Sequence, residues 1–291
     1  MAIAVRQLHK LFVGEVSGVD LRQPPDAAMR AGIVAAADRH AVLVFRDQHI
    51  TDQQHIAFSR TFGRLETTIK AYRPGFKGRL DPHVADISNL DEEGGVLAPD
   101  DRRRMNSLGN RLWHTDYTFK DTPGKYSLLS ARVIPAEGGE TQFADMRAAY
   151  DALPDAMKAR IERLVAEHSL LYSRGTIGFT DFSAEERARL PSAPQVLVRV
   201  HPGSGRKTLY LASHAMLIHG RPHPAARPDG ACDAAGVRVY TPLAGRRPGD
   251  VGQSLHHASR TRRRCATGAR TASHHGDGRG VHASPSSSSP S

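Results

Sequence analysis

In the stretch Trp113-His114-Thr115-Asp116-Tyr117-Thr118-Phe119, an imidazole and a carboxylate sit two positions apart among aromatic and β-branched residues. That composition favours a strand. Alternate side chains of a strand share a face, so His114 and Asp116 can reach one point in space. One histidine and one carboxylate are two of the three ligands of the facial triad that holds non-haem Fe(II) while leaving positions open to substrate and oxygen. The same triplet also occurs on the wet face of ordinary strands. The flanking sequence has to decide between the two.

The elements that must position the pair read as mainly β with flanking helices. Residues 3–21 suggest short strands around Gly14 and Gly18. Pro24-Pro25-Asp26 opens an amphipathic helix over Ala27–Arg39, and Thr51-Asp52-Gln53-Gln54 caps a second over Gln53–Thr61. Between them Ala41–Phe45 is an apolar run suited to a buried strand. From Thr67 to Arg104 the chain is polar and rich in Gly, Pro and Asp, a long loop with one short strand near Val84–Ser88. So long a connection is typically a lid or a binding loop, and Lys70, Arg73, Lys77 and Arg79 make it basic, which suits an anionic substrate. Tyr126–Ile134 and Glu140–Ala144 read as strands joined by Pro135-Ala-Glu-Gly-Gly139, Asp145–Leu153 and Pro154–Glu167 as helices, and Val196–His201 and Lys207–Leu211 as further strands. Many short strands with helices on the outside point to a jelly roll and away from alternating βαβ units. His168 and His214 have no assignable role and read as core or surface histidines.

Charge divides the chain unevenly. The formal net charge is +10, yet residues 226–291 alone carry ten Arg, no Lys, four Asp and no Glu. Both cysteines, Cys232 and Cys265, also lie there. The first 225 residues have none, which argues against a disulfide framework and fits a reducing cytoplasm. No apolar run is long enough for a membrane span or a signal peptide. The basic residues Arg260 and Arg262–Arg264 come without interleaved aromatics or a folded reader, which argues against nucleic acid as the partner.

Trp113-His114-Thr115-Asp116 is followed by Pro135-x-x-Gly-Gly-Glu-Thr141 and Asp145-Met-Arg-Ala-Ala-Tyr-Asp-Ala-Leu-Pro154. This sequence of motifs resembles the Fe(II)/2-oxoglutarate dioxygenases of the taurine dioxygenase group, and most of all their phenoxyalkanoate branch. Val42–Arg46, Ala85–Asn89, Ala166-Glu-His168 and His201-x-Gly-Ser-Gly-Arg-Lys207 extend the likeness over most of residues 8–223. The resemblance implies a double-stranded β-helix with Fe(II) at its open end, 2-oxoglutarate as cosubstrate and O2. His114 and Asp116 match the first two iron ligands, and Thr141 the threonine that binds the 2-oxoglutarate carboxylate. Asn110 and His201 match substrate-pocket positions. The implied reaction splits 2-oxoglutarate and O2 into succinate, CO2 and one oxygen atom, which hydroxylates the carbon beside an ether oxygen. The resulting hemiacetal collapses to a phenol and glyoxylate. A sulfonate or alkyl sulfate is the alternative substrate, a non-catalytic relative the alternative role, and a homo-oligomer is compatible with either.

The resemblance stops near Arg227. The family pattern requires a distal histidine and, beyond it, an arginine that grips the far carboxylate of 2-oxoglutarate. Here the chain runs Pro248-Gly-Asp-Val-Gly-Gln-Ser-Leu-His-His-Ala-Ser259, so His256 and His257 fall near the required place among the wrong neighbours. Suitable codons for Val251–Ser259, read one base later, spell Trp-Asp-Asn-Arg-Cys-Thr-Met-His-Arg, which is the missing motif. The same offset restores a family-like sequence over residues 230–250. Residues 1–225 therefore read as an incomplete jelly-roll domain, its C-terminal strands missing or disrupted. Residues 226–291 read as an out-of-frame, disordered tail that has lost the third ligand and the clamping arginine. Sequencing the gene across codons 220–260 is expected to reveal a single-base insertion or deletion; an intact frame in independent reads would refute the reading.

Overall fold

A computed structural model describes residues 3–69, 79–135 and 138–219, together with the backbone of Val239–Tyr240. All of these belong to one compact unit, Met1–Gly245, while Arg246–Ser291 lie outside the described residues.

The N-terminal sheet begins with β1 (Ala4–Gln7) antiparallel to β2 (Gly14–Ser17), and β2 pairs in parallel with β3 (Leu43–Phe45). Parallel neighbours need a crossover, and α1 (Ala27–His40) supplies it. Asp26 starts this helix by accepting a 2.7 Å hydrogen bond from the Met29 N–H, as an N-cap carboxylate should. A second helix, α2 (Asp52–Arg60), begins with a complete capping box between Thr51 and Gln54. Ile33 of α1, Leu43 and Phe45 of β3 and Phe58 of α2 form the centre of the first core. The Phe45 and Phe58 rings meet edge to face at 6.4 Å. On the far side of β3, the backbone of β9 (Val239–Tyr240) adds in parallel, Leu43 opposite Val239.

The second half is built around β4 (Val165–His168), which lies antiparallel between β5 (Ala193–Val196) and β8 (Ala215–His219). A hairpin of β6 (Val198–Val200) and β7 (Lys207–Leu209) stands beside it. Short helices surround these strands: α3 (Arg102–Ser107), running into a 3-10 turn at Leu108–Arg111, then α4 (Met146–Asp151), α5 (Asp155–Ile161), α6 (Leu170–Gly175) and α7 (Ala184–Ala188). Arg147 of α4 couples the halves. Its buried guanidinium is held by Asp145 at 2.9 Å and donates to the carbonyls of Asp38 and Arg39 at the end of α1, where a cation meets otherwise unpaired carbonyls. No helix among the described residues is long and apolar enough to cross a membrane.

Several sequence expectations are corrected. The strands anticipated at Trp113–Phe119, Tyr126–Ile134 and Glu140–Ala144 form no ladder among the described residues; the first instead turns at Asp116–Phe119. A strand is a property of two segments, since its N–H and C=O groups need a neighbour. Tyr126 and Leu128 still pack against the first core, while Val133 is 83% exposed. The helix expected over Pro154–Glu167 ends at Ile161, because β4 claims Val165–His168 as the centre of its sheet. In the long loop, the pairing found is an isolated bridge between Leu90 and Val96, not a strand at Val84–Ser88. Lys70, Arg73 and Lys77 lie outside the described residues.

His168 is fully buried and stacked on Tyr210. Burial, and then the nearby Arg199 charge, push its pKa from the usual 6.5 down to about 4. Between those values the unfolded chain binds the proton and the native chain does not, so the contribution is present in full above the unfolded pKa and disappears as pH falls toward about 4. Unfolding in urea at pH 7 and pH 4.5 should show His168→Leu losing up to about 3 kcal/mol less stability than the parent chain over that interval.

Candidate active site

The 3-10 turn at Leu108–Arg111 delivers the chain into an extended segment that carries His114, and a tight turn begins at Asp116. Tyr117 sits at a φ of 59°, a left-handed conformation that costs a non-glycine residue of order 1–3 kcal/mol and needs surrounding structure to hold it. Gln195 of β5, only 2% exposed, supplies that support by donating to the carbonyls of Thr118 at 2.9 Å and Lys120 at 2.7 Å. On the other side the Ser213 N–H donates to the Trp113 carbonyl at 2.9 Å. His114 and Asp116 are thus brought together by a clamped turn, where the sequence pointed to a strand.

Nε2 of His114 and Oδ1 of Asp116 lie 3.1 Å apart, their side chains 17% and 27% exposed. Each far atom is engaged. Nδ1–H of His114 donates to the Leu112 carbonyl at 2.7 Å, and Oδ2 of Asp116 accepts from the Ser127 hydroxyl at 2.7 Å. Such outer bonds fix tautomer and carboxylate rotation in metal sites, and they leave the inner atoms facing one another. Two donors at right angles, each about 2.1 Å from a shared ion, stand about 3.0 Å apart. The observed 3.1 Å therefore fits a divalent cation on this pair. No group of three potential metal ligands occurs among the described residues.

His214, which the sequence left without a role, packs its ring edge to face against His114 at 5.8 Å and against Phe119 at 5.2 Å. It is 2% exposed. Burial, and then the neighbouring His114, push its pKa down to about 3, so it is neutral. Ser173 of α6 spends its hydroxyl hydrogen on the Leu170 carbonyl and accepts from His214 Nδ1–H at 2.8 Å. Neither His214 nor Ser127 carries a sequence signal, because each reaches the pair from a remote segment.

The remaining predicted positions are more dispersed. Asn110 lies in the 3-10 turn, exposed, with Oδ1 accepting from Arg174 Nη2 at 3.2 Å. Thr141 is exposed, and no hydrogen bond among the described residues joins it to the pair. His201 follows β6 and accepts at Nδ1 from the Ser204 N–H at 3.3 Å. Burial lowers its pKa, with Asp38, Arg147 and Lys125 as its charged neighbours. His256 and His257 lie outside the described residues.

Loss of the Ser127 hydroxyl should free the Asp116 carboxylate to rotate. Ser127→Ala is expected to weaken ferrous ion binding roughly tenfold, read by calorimetric titration under anaerobic conditions, with the unfolding midpoint little changed.

Comparisons with known proteins bear on the family. A family model described as "Taurine catabolism dioxygenase TauD, TfdA family" matches residues 4–234. Alpha-ketoglutarate-dependent 2,4-dichlorophenoxyacetate dioxygenases of Burkholderia sp. (strain RASC) and Cupriavidus pinatubonensis are each 43% identical over 223 residues, 76% of this chain and 75% and 77% of theirs. The crystal structure of AAD-2 with Mn(II) and N-oxalylglycine superposes with a TM-score of 0.68 at 51% identity, covering 74% of each chain. The strands and helices described above are those of the jelly-roll dioxygenase fold, and the chain belongs to the TauD/TfdA family of Fe(II)- and 2-oxoglutarate-dependent dioxygenases.

Proposed function

We propose that this chain is built to hydroxylate a phenoxyalkanoate such as 2,4-dichlorophenoxyacetate, and that it carries the iron site short of one ligand. The observation that carries the site is the 3.1 Å approach of His114 Nε2 and Asp116 Oδ1, with the outer atom of each already spent on Leu112 and Ser127. His114 and Asp116 would hold Fe(II), which supplies the place where 2-oxoglutarate and O2 meet. Thr141 would offer its hydroxyl to the 2-oxoglutarate carboxylate, and Asn110 and His201 would face the substrate. His214 covers one side of His114 and keeps water from that face. The substrate class is supported by the two relatives at 43% identity and by AAD-2 at 51%.

The missing ligand is read from the out-of-frame tail. In support, the family match ends at residue 234, just past Arg227. With two protein ligands in place of three, we expect weak iron binding and little turnover. The cysteine-free first 225 residues support a reducing cytoplasm as its place of work. An alkyl sulfate is the second reading of the substrate, favoured by the alpha-ketoglutarate-dependent sulfate ester dioxygenase of Pseudomonas putida, 34% identical over 214 residues.

Two proteins decide the matter: the chain as written, and one with the reading frame restored after codon 227. Succinate release from 2-oxoglutarate should be coupled to 2,4-dichlorophenoxyacetate in the restored protein, and should fall at least a hundredfold, roughly the value of a lost ligand or more, in the chain as written. Equal turnover by both would overturn the lost ligand. Turnover by the restored protein on alkyl sulfates alone would overturn the substrate.

A further inference from the structure

Among the described residues Arg174 is a cation without a counterion. It projects from α6, is 9% exposed, and its only side-chain hydrogen bonds among the described residues are to two neutral carboxamides. Nε donates to Asn106 Oδ1 and Nη2 to Asn110 Oδ1, both at 3.2 Å. Asn106, Gly109 and Asn110 stand at helical spacings of three and four, and so form one face of the α3–3-10 segment. The guanidinium lies flat on that face at Gly109, where any Cβ would fall 2.2 Å from Nη1. Gly109 is what lets the guanidinium come so close. Among the described residues no carboxylate lies within ion-pair distance of Arg174. The one influence on its pKa is burial, which lowers it.

A buried charge with neutral partners is expensive, and a fold gains little stability by keeping one. The placement suggests what the charge is for. Asn110 precedes His114 by four residues and is exposed. Ser173, beside Arg174 on α6, holds His214, which packs on His114. Arg174 is thus bonded to Asn110, four residues before His114, and lies next to Ser173, which holds His214 against His114. With Oδ1 of both carboxamides turned onto the guanidinium, their NH2 groups are the ends that point away from it.

We propose that Arg174 is the charge-selecting and positioning residue of the substrate pocket: it fixes Asn106 and Asn110 as amide donors, and its charge, which no described carboxylate meets, makes the pocket select a substrate bearing a single anionic head. A carboxylate or sulfate entering beside Asn110 supplies the missing counterion. The assignment rests on the reading above for the place of Asn110 beside the substrate and for the identity of the anion.

Trp113, the sole tryptophan, adjoins His114 and reports binding by quenching. The full chain is titrated with 2,4-dichlorophenoxyacetate and with its uncharged primary amide, then with hexyl sulfate and with hexanol. The parent should bind an anion in preference to its neutral partner. Arg174→Gln should lose roughly tenfold or more of the affinity for the anion while binding the neutral ligand within about twofold. Asn106→Asp, which places a carboxylate against the guanidinium at no change in size, should abolish the same preference while keeping or raising the unfolding midpoint. If Arg174→Gln fails to fold, Asn106→Asp decides alone. Equal losses for charged and neutral ligands, an unchanged preference, or no binding of either anion would overturn the assignment. Preference for hexyl sulfate over hexanol that depends on Arg174, without binding of the phenoxyacetate, would instead sink the substrate reading and leave Arg174 in its role.

Discussion

The site depends on one constraint: an imidazole and a carboxylate two residues apart must present one atom each to a common point while their other polar atoms are tied down. Leu112 and Ser127 provide the ties, at 2.7 Å each. Free of those bonds, the imidazole could turn over and the carboxylate rotate, and the entropy of ordering both would be charged against metal binding. With them, the ordering is done during folding. The strained turn at Tyr117 belongs to the same device, since it curves the chain so that neighbours in sequence become neighbours in space.

Buried polar side chains carry much of this positioning. Gln195 grips the turn's carbonyls from β5, and Arg147 ties α4 to the end of α1. Each is nearly inaccessible, and each satisfies backbone groups that would otherwise be stranded away from water. Arg174 differs in kind. Its partners are carboxamides that could have found water by themselves, and no carboxylate among the described residues matches its charge. Groups that serve the fold are satisfied within it, and groups that serve a ligand are left partly unsatisfied.

The strands expected between residues 113 and 144 show the limit of local pattern. Tyr126 and Leu128 bury themselves against Phe62 and its neighbours, as their apolar character requires, yet the segment pairs with no strand among the described residues. Side-chain burial is decided by one segment and the surface it meets. Ladder formation needs a second backbone in register. In a double-stranded β-helix that second backbone comes from late in the chain, the part whose residues depart from the family pattern.

The sequence by itself determined much that is local. Asp26 and Thr51 announced helix starts that the structure shows within a residue, and the apolar run ending at Phe45 announced a buried strand. The motifs around His114 and Thr141 also announced the family, because they record chemistry in fixed spacing. Tertiary structure alone decided that His114 and Asp116 meet through a turn, that Ser127 and His214 attend them, and that β4 breaks the helix expected over Pro154–Glu167. The physical reason is range. Caps and apolar periods act over a few residues and can be read one segment at a time. A hydroxyl or ring delivered from another part of the chain gains its meaning only when the chain closes on itself.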